Sequence, residues 1–158
     1  SLGYTEFDDT TKSHTCQDMD GNTTPVTRGA NLAAQRNILV VNSAGNSGAT
    51  AWTCVSAPAD GTGVLAIAAV DSNGVYAGFS SKGRIDGSYV KPNVAAQGAQ
   101  TAVSWTDGMI VRSNGTSFSS PVIAGAAASY WSARPAIAAT DLKRMIDRAD
   151  RRPDHPTV

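Results

Sequence analysis

The residues with the clearest chemical potential form the run Gly-Thr-Ser-Phe-Ser-Ser-Pro at positions 115–121. Gly115 permits close backbone approach to Ser117, and the small apolar residues after Pro121 predict a tightly packed helix. We expect Pro121 within the first turn, where its missing N–H is tolerated. A hydroxyl there lies beside unpaired N–H groups and the positive end of the helix dipole, which suit a developing oxyanion. This segment alone supports equally well the interpretation that Ser117 only caps the helix.

A second polar residue, Asn46, stands in a glycine-rich turn directly after an apolar run. The run predicts a buried parallel strand, and α/β folds place their binding sites where such strands end. The side-chain amide of Asn46 would be one hydrogen-bond donor to an oxyanion, and the backbone N–H of Ser117 the other. Asparagine between two glycines also serves as a left-handed turn residue, and the segment in isolation favours that interpretation.

The elements that must position these two residues alternate between strand and helix, which is typical of the α/β class. A helix is expected to begin at Thr24-Pro25 and to end at Asn37. Apolar, β-branched runs predict strands at 38–41, 64–70, 75–80 and 93–96, and a hairpin over 101–112. The Ser117 helix is expected to continue to about Ala133, followed by an amphipathic helix through residues 142–149.

Composition favours one globular domain, 1–150, with a short tail at 151–158. The chain has 158 residues, is 41% hydrophobic and 16% charged, and carries a formal net charge of zero. Neutrality gives no reason to expect nucleic acid or a membrane as partner, and no stretch resembles a membrane-spanning helix.

The Asp-rich segment 5–24 matches no EF-hand spacing, so a solvated loop is favoured over a calcium site. Cys16 and Cys54 form no zinc pattern and leave open one disulfide or two free thiols.

Two of these segments resemble the subtilisin-like serine peptidases, or subtilases. The run 115–121 is similar to their nucleophile motif, and Ser-Ala-Gly-Asn-Ser-Gly at 43–48 is similar to the segment that carries their oxyanion-hole asparagine. The resemblance implies an α/β fold with a mainly parallel sheet flanked by helices, here a partial three-layer fold without its N-terminal part. It also implies that Ser117 is the nucleophile, that Asn46 is an oxyanion donor and that the substrate is a polypeptide.

The same resemblance implies where a substrate lies. Ser1, Leu2 and Gly3 look like the strand that pairs with the substrate backbone and borders the pocket for the side chain before the scissile bond. Ala44 and Gly45 match the opposite wall, and Thr116, which adjoins the nucleophile, is also expected to bind substrate. By resemblance Cys16 and Cys54 fall in loops that flank this pocket, so a bridge with Cα atoms within roughly 7 Å is as well supported as free thiols.

The general base is not among the residues that resemble the family. Subtilases use Asp, His and Ser in chain order, and the positions of His14 and His155 do not match that histidine. The resemblance therefore implies the C-terminal portion of a catalytic domain that is inactive alone, with Asp and His on a missing N-terminal segment. It requires no cofactor for chemistry, allows a structural calcium in the longer protein, and implies an extracellular or cell-envelope location.

Two further hypotheses and one physical consequence accompany this interpretation. In the first hypothesis, the chain belongs to a non-catalytic, peptide-binding pseudopeptidase on the same fold. In the second, it belongs to an esterase or transpeptidase that uses the same acyl chemistry. Without the N-terminal segment, the apolar run 38–41 would lie near an unpaired sheet edge. Such an edge templates pairing with another chain, so the sequence predicts self-association of the fragment.

Overall fold

A parallel three-stranded sheet lies at the centre of the computed structural model, which describes residues 2–83 and 90–149. The predicted tail, 151–158, falls outside the described residues. Two short 3-10 helices, Thr10–Lys12 and Cys16–Asp18, precede the first long helix. The remaining elements are α1 (Pro25–Gln35), β1 (Val40–Ser43), β2 (Val64–Val70), β3 (Val94–Gln97), β4 (Thr101–Ser104), β5 (Ile110–Ser113), α2 (Thr116–Ala133) and α3 (Ala139–Ala149).

Strand β2 is central in the order β1-β2-β3, and its apolar side chains are buried on both faces of the sheet. Leu65 and Ile67 pack on one face with Val94 of β3 and with residues from α2 and α3. Ala66 lies on the opposite face in a second cluster with Ala44, Val55 and Ala59. A strand covered on both faces needs no polar alternation, which explains the continuous apolar run. The predicted α/β class, with a parallel sheet flanked by helices, is confirmed.

Two strand boundaries differ from the sequence-based expectation. The strand expected at 38–41 is β1, Val40–Ser43, because Ile38 N still donates to Ala33 O at the end of α1. Pairing with β2 then continues through Asn42 and Ser43, which are polar. The strand expected at 93–96 is shifted by one residue to Val94–Gln97.

The strand expected at 75–80 is wrong. Only Tyr76 forms a bridge, to Val70, and the chain then turns so that Ser80 N donates to Ala77 O. The tyrosine hydroxyl donates to the carbonyl oxygens of Ser80 and Ser81, which fixes this turn. Aromatic and apolar residues here are used to anchor a loop, so their β-propensity does not produce a strand.

A buried lysine joins the starts of β2 and β3. Lys91 is 7% exposed, and its Nζ donates to Gly61 O (2.8 Å), Val64 O (2.6 Å) and Asn93 Oδ1 (3.0 Å). Asn93 in turn donates to Asp147 of α3. Burial lowers the pKa of Lys91 to about 7. Three oxygen acceptors therefore hold the lysine in a site where its charge is costly.

The helix α1 begins as predicted, with Pro25 first and Thr24 Oγ1 accepting from Thr27 N. The segment before it is the expected loop, in which aspartates accept hydrogen bonds from neighbouring threonines. These bonds lower the pKa values of Asp9, Asp18 and Asp20. The carboxylates thus stabilise local turns.

Helix α2 packs against all three strands of the parallel sheet. It has no charged residue, yet most of its other face is exposed, including Val122 (53%), Gly125 and Ala126. A helix that is apolar all round is normally buried, so α2 presents an uncovered apolar face. Within the described ranges no helix is long and apolar enough to cross a membrane.

Candidate active site

Ser117 is the second residue of α2. The cap position belongs to Gly115, whose N–H donates to Gly98 O at 2.8 Å. The alternative in which Ser117 only caps the helix is therefore wrong. The antiparallel β4–β5 hairpin, predicted over 101–112, ends at Ser113 and leads directly into this turn. The hydroxyl-bearing residue is exposed at the mouth of the helix.

Pro121 lies in the second turn of α2 and not in the first, as was expected. Because Gly115 caps the helix and Thr116 begins it, Pro121 is the sixth helical residue. A proline there has no N–H for the carbonyl four residues earlier, which is that of Ser117. The regular helical hydrogen-bond ladder is thus interrupted one turn after the serine.

Asn46 reaches the same helix start, and Thr116 holds its carboxamide. The backbone N–H and the hydroxyl of Thr116 each donate to Asn46 Oδ1 at 2.9 Å. The hydroxyl also accepts from Gly45 N at 3.2 Å. A backbone N–H can only donate, so the carboxamide atom that it meets is the oxygen. The nitrogen Nδ2 is the end of the side chain left to donate elsewhere.

The position of that nitrogen suits an oxyanion site. A Cβ placed on Gly115 would lie 3.7 Å from Asn46 Nδ2, so the amide faces the backbone that leads into Ser117. Both Asn46 and Ser117 are exposed, although Thr116 between them is 1% exposed. A buried hydrogen-bonded residue therefore orients two accessible ones, and the structure brings the two predicted catalytic residues together.

The two predicted substrate walls lie side by side. Leu2 and Gly3 are exposed, and Ala44 is buried beneath Gly45, which has φ 113°. Ser1 lies outside the described residues. The backbone of Leu2 pairs with a side chain: Leu2 N donates to Asn42 Oδ1 (3.3 Å), and Asn42 Nδ2 donates to Leu2 O (3.0 Å).

The sequence-based assignment missed Asn42 and two serines that lie beside these walls. A Cβ on Gly45 would lie 3.0 Å from Ser56 Oγ and 2.9 Å from Ser81 Oγ, while one on Gly3 would lie 3.4 Å from Ser56 Cβ. Ser56 thus stands between the two walls. An asparagine at the end of an apolar run was a usable signal for Asn42. Nothing local marks the serines, because their neighbours are distant in sequence.

Cys16 and Cys54 form a disulfide with Cα atoms 6.0 Å apart. The prediction that they come within roughly 7 Å is confirmed. The bridge joins the loop after Leu2-Gly3 to the segment after Asn46, and Cys54 is fully buried while Cys16 is partly exposed.

The described part of the chain contains one histidine, His14, whose ring packs edge-on against Phe7 with centroids 5.9 Å apart. His155 lies outside the described residues. Across residues 2–83 and 90–149, no group of three or more His, Cys, Asp or Glu side chains has the arrangement of a metal site. The structure thus places the Ser117 hydroxyl and the Asn46 carboxamide at the start of α2, whereas His14 belongs to the surface loop.

The fold and these paired segments are those of a subtilisin-like α/β protein. The sequence profile of the Subtilase family matches residues 1–156, and the chain belongs to that family. It is 34% identical over 118 residues to a thermostable alkaline protease from Halalkalibacterium halodurans, covering 75% of this chain and 30% of that protein. Subtilisin DY from Bacillus licheniformis is 33% identical over 124 residues, covering 78% and 43%.

A solved structure gives the same picture of the fold. Sphericase superposes with a TM-score of 0.69 at 26% identity, over 94% of this chain and 46% of that one. The chain spans less than half the length of the curated relatives that it matches.

Proposed function

We propose that this chain carries the nucleophile and the oxyanion hole of a serine endopeptidase. The observation that carries the proposal is the pair of hydrogen bonds from Thr116 to Asn46 Oδ1. They join segments 70 residues apart and aim the asparagine amide at the start of α2. Membership of the Subtilase family and the protease names of its relatives support the same activity.

In the proposed reaction, Ser117 Oγ attacks a peptide carbonyl and its proton passes to a general base. The carbonyl oxygen becomes an oxyanion that accepts hydrogen bonds from Asn46 Nδ2 and Ser117 N. Expulsion of the amine leaves an acyl group on Ser117, and water then hydrolyses that ester. No cofactor takes part in these steps.

The base belongs to a segment that completes the domain. We propose that an N-terminal segment carrying Asp and His covers the exposed apolar face of α2. Ser117 stands at the beginning of that face, so an element packed against it comes within reach of the serine. Without the base, the hydroxyl is a poor nucleophile at neutral pH, and we expect the isolated chain to be inert.

The proposed location is extracellular or in the cell envelope. The Cys16–Cys54 disulfide supports it, because such bonds persist in oxidising compartments and are rare in the cytosol.

The test uses a serine-directed fluorophosphonate and a chromogenic peptide. The complete protein, with its N-terminal segment, should be labelled on Ser117 and should hydrolyse the peptide. Ser117→Ala should abolish both, whereas Ser104→Ala, at an exposed position of β4, should change neither. A complete protein that binds peptides without labelling would establish the pseudopeptidase instead. Robust turnover by residues 1–158 alone would contradict the requirement for an added base.

A further inference from the structure

We infer that the Cys16–Cys54 disulfide positions the substrate cleft, so that its reduction weakens substrate binding while sparing the nucleophile. The inference rests on the proposed function. It begins from the location of Cys54, two residues before Ser56. Ser56 is the residue that touches both walls, at Gly3 and at Gly45.

The strip from Cys54 to Ala57 holds those walls through its backbone. Ser56 N donates to Ala44 O at 3.0 Å, and Ala57 O accepts from Tyr4 N at 3.0 Å. One bond reaches the Ala44-Gly45 wall, and the other reaches Tyr4, the residue that follows the Leu2-Gly3 wall. The position of this strip therefore sets the separation between the two walls.

The strip is entered through a strained turn. Thr53 has φ 50°, and Cys54 N donates to Trp52 O across it at 2.6 Å. A β-branched residue in this left-handed region is an outlier that persists only where its surroundings determine it. Two restraints do so: Lys82 N donates to Thr53 O at 2.8 Å, and the disulfide holds Cys54 itself.

The buried ring nitrogen of Trp52 also indicates that this turn is strained. Trp52 Nε1 is buried and has no hydrogen-bond partner in the described part of the chain. An unsatisfied buried donor favours any rearrangement that exposes it. Relaxation of this turn would therefore lower the free energy of the Thr53 backbone and of the Trp52 side chain, and the disulfide opposes that relaxation.

Reduction would release that restraint. A dithiol breaks the S–S bond, transfers two electrons and two protons to leave thiols on Cys16 and Cys54, and is itself oxidised to a disulfide. Attack is open at Cys16, which is partly exposed, whereas Cys54 is buried. Gly45 and Asn46 are also held from the α2 side, because Thr116 accepts from Gly45 N and donates twice to Asn46 Oδ1, and these bonds remain when the strip is released. Binding and chemistry should therefore respond differently.

The kinetic experiment compares oxidised and dithiothreitol-reduced complete protein. Reduction should raise KM for an extended peptide by about tenfold, which corresponds to the loss of roughly 1.4 kcal/mol of substrate binding. The kcat and the rate of fluorophosphonate labelling should stay within about twofold. Reoxidation should restore KM, and the variant with Cys16→Ala and Cys54→Ala should resemble the reduced protein and ignore dithiothreitol. An unchanged KM would overturn the inference, and so would a rise in KM that is accompanied by a fall in kcat and in the rate of fluorophosphonate labelling.

Amide hydrogen exchange supplies a readout that does not depend on activity. Reduction should accelerate exchange at Tyr4, Ser56 and Lys82, whose N–H groups make the bonds described above, and should leave β2 unchanged. Unchanged exchange at all three amides would also overturn the inference. If the oxidised protein fails to label, the proposed function fails, and this exchange measurement still decides whether the disulfide holds the strip.

Discussion

Thr116 donates twice to the same oxygen of Asn46, from its backbone N–H and from its hydroxyl, at 2.9 Å in each case. A side-chain substitution at Thr116 can remove only the hydrogen bond from the hydroxyl, because the backbone N–H remains. Thr116→Val keeps the shape and the N–H donor, and we expect it to lower kcat by roughly tenfold. That is less than the 10²–10³-fold loss that follows removal of an oxyanion donor itself. Thr116→Ser retains the hydroxyl and should keep nearly full kcat.

A double-mutant cycle shows whether Thr116 acts through Asn46. In an Asn46→Ala background, Thr116→Val should cost little more, because the group that it orients is absent. Fully additive losses would mean that Thr116 acts through another contact, such as the hydrogen bond that its hydroxyl accepts from Gly45 N, and does not position the asparagine.

Asn46→Ala should lower kcat of the complete protein by about 10²–10³-fold with little change in KM. The physical reason is that the amide stabilises charge that develops only in the transition state. Steady-state kinetics on a peptide substrate separates the two parameters. If KM rose and kcat stayed constant, Asn46 would be a binding or turn residue, and the assignment would be wrong.

The burial of Lys91 predicts that the free energy of unfolding rises as the pH becomes alkaline. Burial lowers its native pKa to about 7, below its ordinary value of 10.5. Between these values the unfolded chain binds a proton at Lys91 that the native protein does not, so the free energy of unfolding increases with pH across this window. The gain is lost progressively as the pH falls from 10.5, and none of it remains below about 7. Guanidinium unfolding from pH 7 to pH 10 should detect a change on the order of a few kcal/mol.

The matched variants for this prediction are Lys91→Met and Lys12→Met. Lys91→Met removes the titrating group and should flatten the pH dependence. Lys12 pairs with Asp9 on the surface, with its side chain 75% exposed, so its removal should leave the slope intact. Equal slopes in wild type and Lys91→Met would show that another group titrates.

Two glycines provide a test of packing at the helix that carries Ser117. A Cβ at Gly98 would lie 2.7 Å from Gly115 O and 2.8 Å from Ala69 Cβ, too close for either contact. Gly98→Ala should therefore destabilise this chain by about 1–3 kcal/mol. A Cβ at Gly125 meets no atom within 4 Å. Gly125→Ala should stabilise α2 of the isolated chain by up to about 1 kcal/mol, through helix propensity. Thermal unfolding measures both, and similar destabilisation by the two would contradict an open face at Gly125.

The free edge of β1 predicts self-association of residues 1–158. Within the described ranges β1 pairs only with β2, and Ile38 just before it is 55% exposed. Light scattering after size exclusion should detect oligomers, and Val40→Lys should disperse them if the edge pairs. Val122→Lys tests the other route, association through the exposed face of α2. A wild-type monomer at high concentration, with its β1 amides protected from exchange, would count against both surfaces.

Local sequence determined the elements whose signals are short-range. Thr24 and Pro25 specify the start of α1, because a hydroxyl cap and a proline at the first helical position act within one turn. The apolar run 64–70 matches β2 residue for residue. The seven residues around Ser117 were specific enough to indicate the family before any geometry was known.

Tertiary structure decided what depends on neighbours distant in the chain. Ser117 is not the cap of α2, because Gly98 fixes Gly115 in that position. Asn42 takes the place of a backbone partner for Leu2, 40 residues away. Ser56 lies between Gly3 and Gly45 because two loops meet there. Propensity and motif act over a few residues, whereas the packing of whole elements sets which side chains meet, and only the folded chain contains that information.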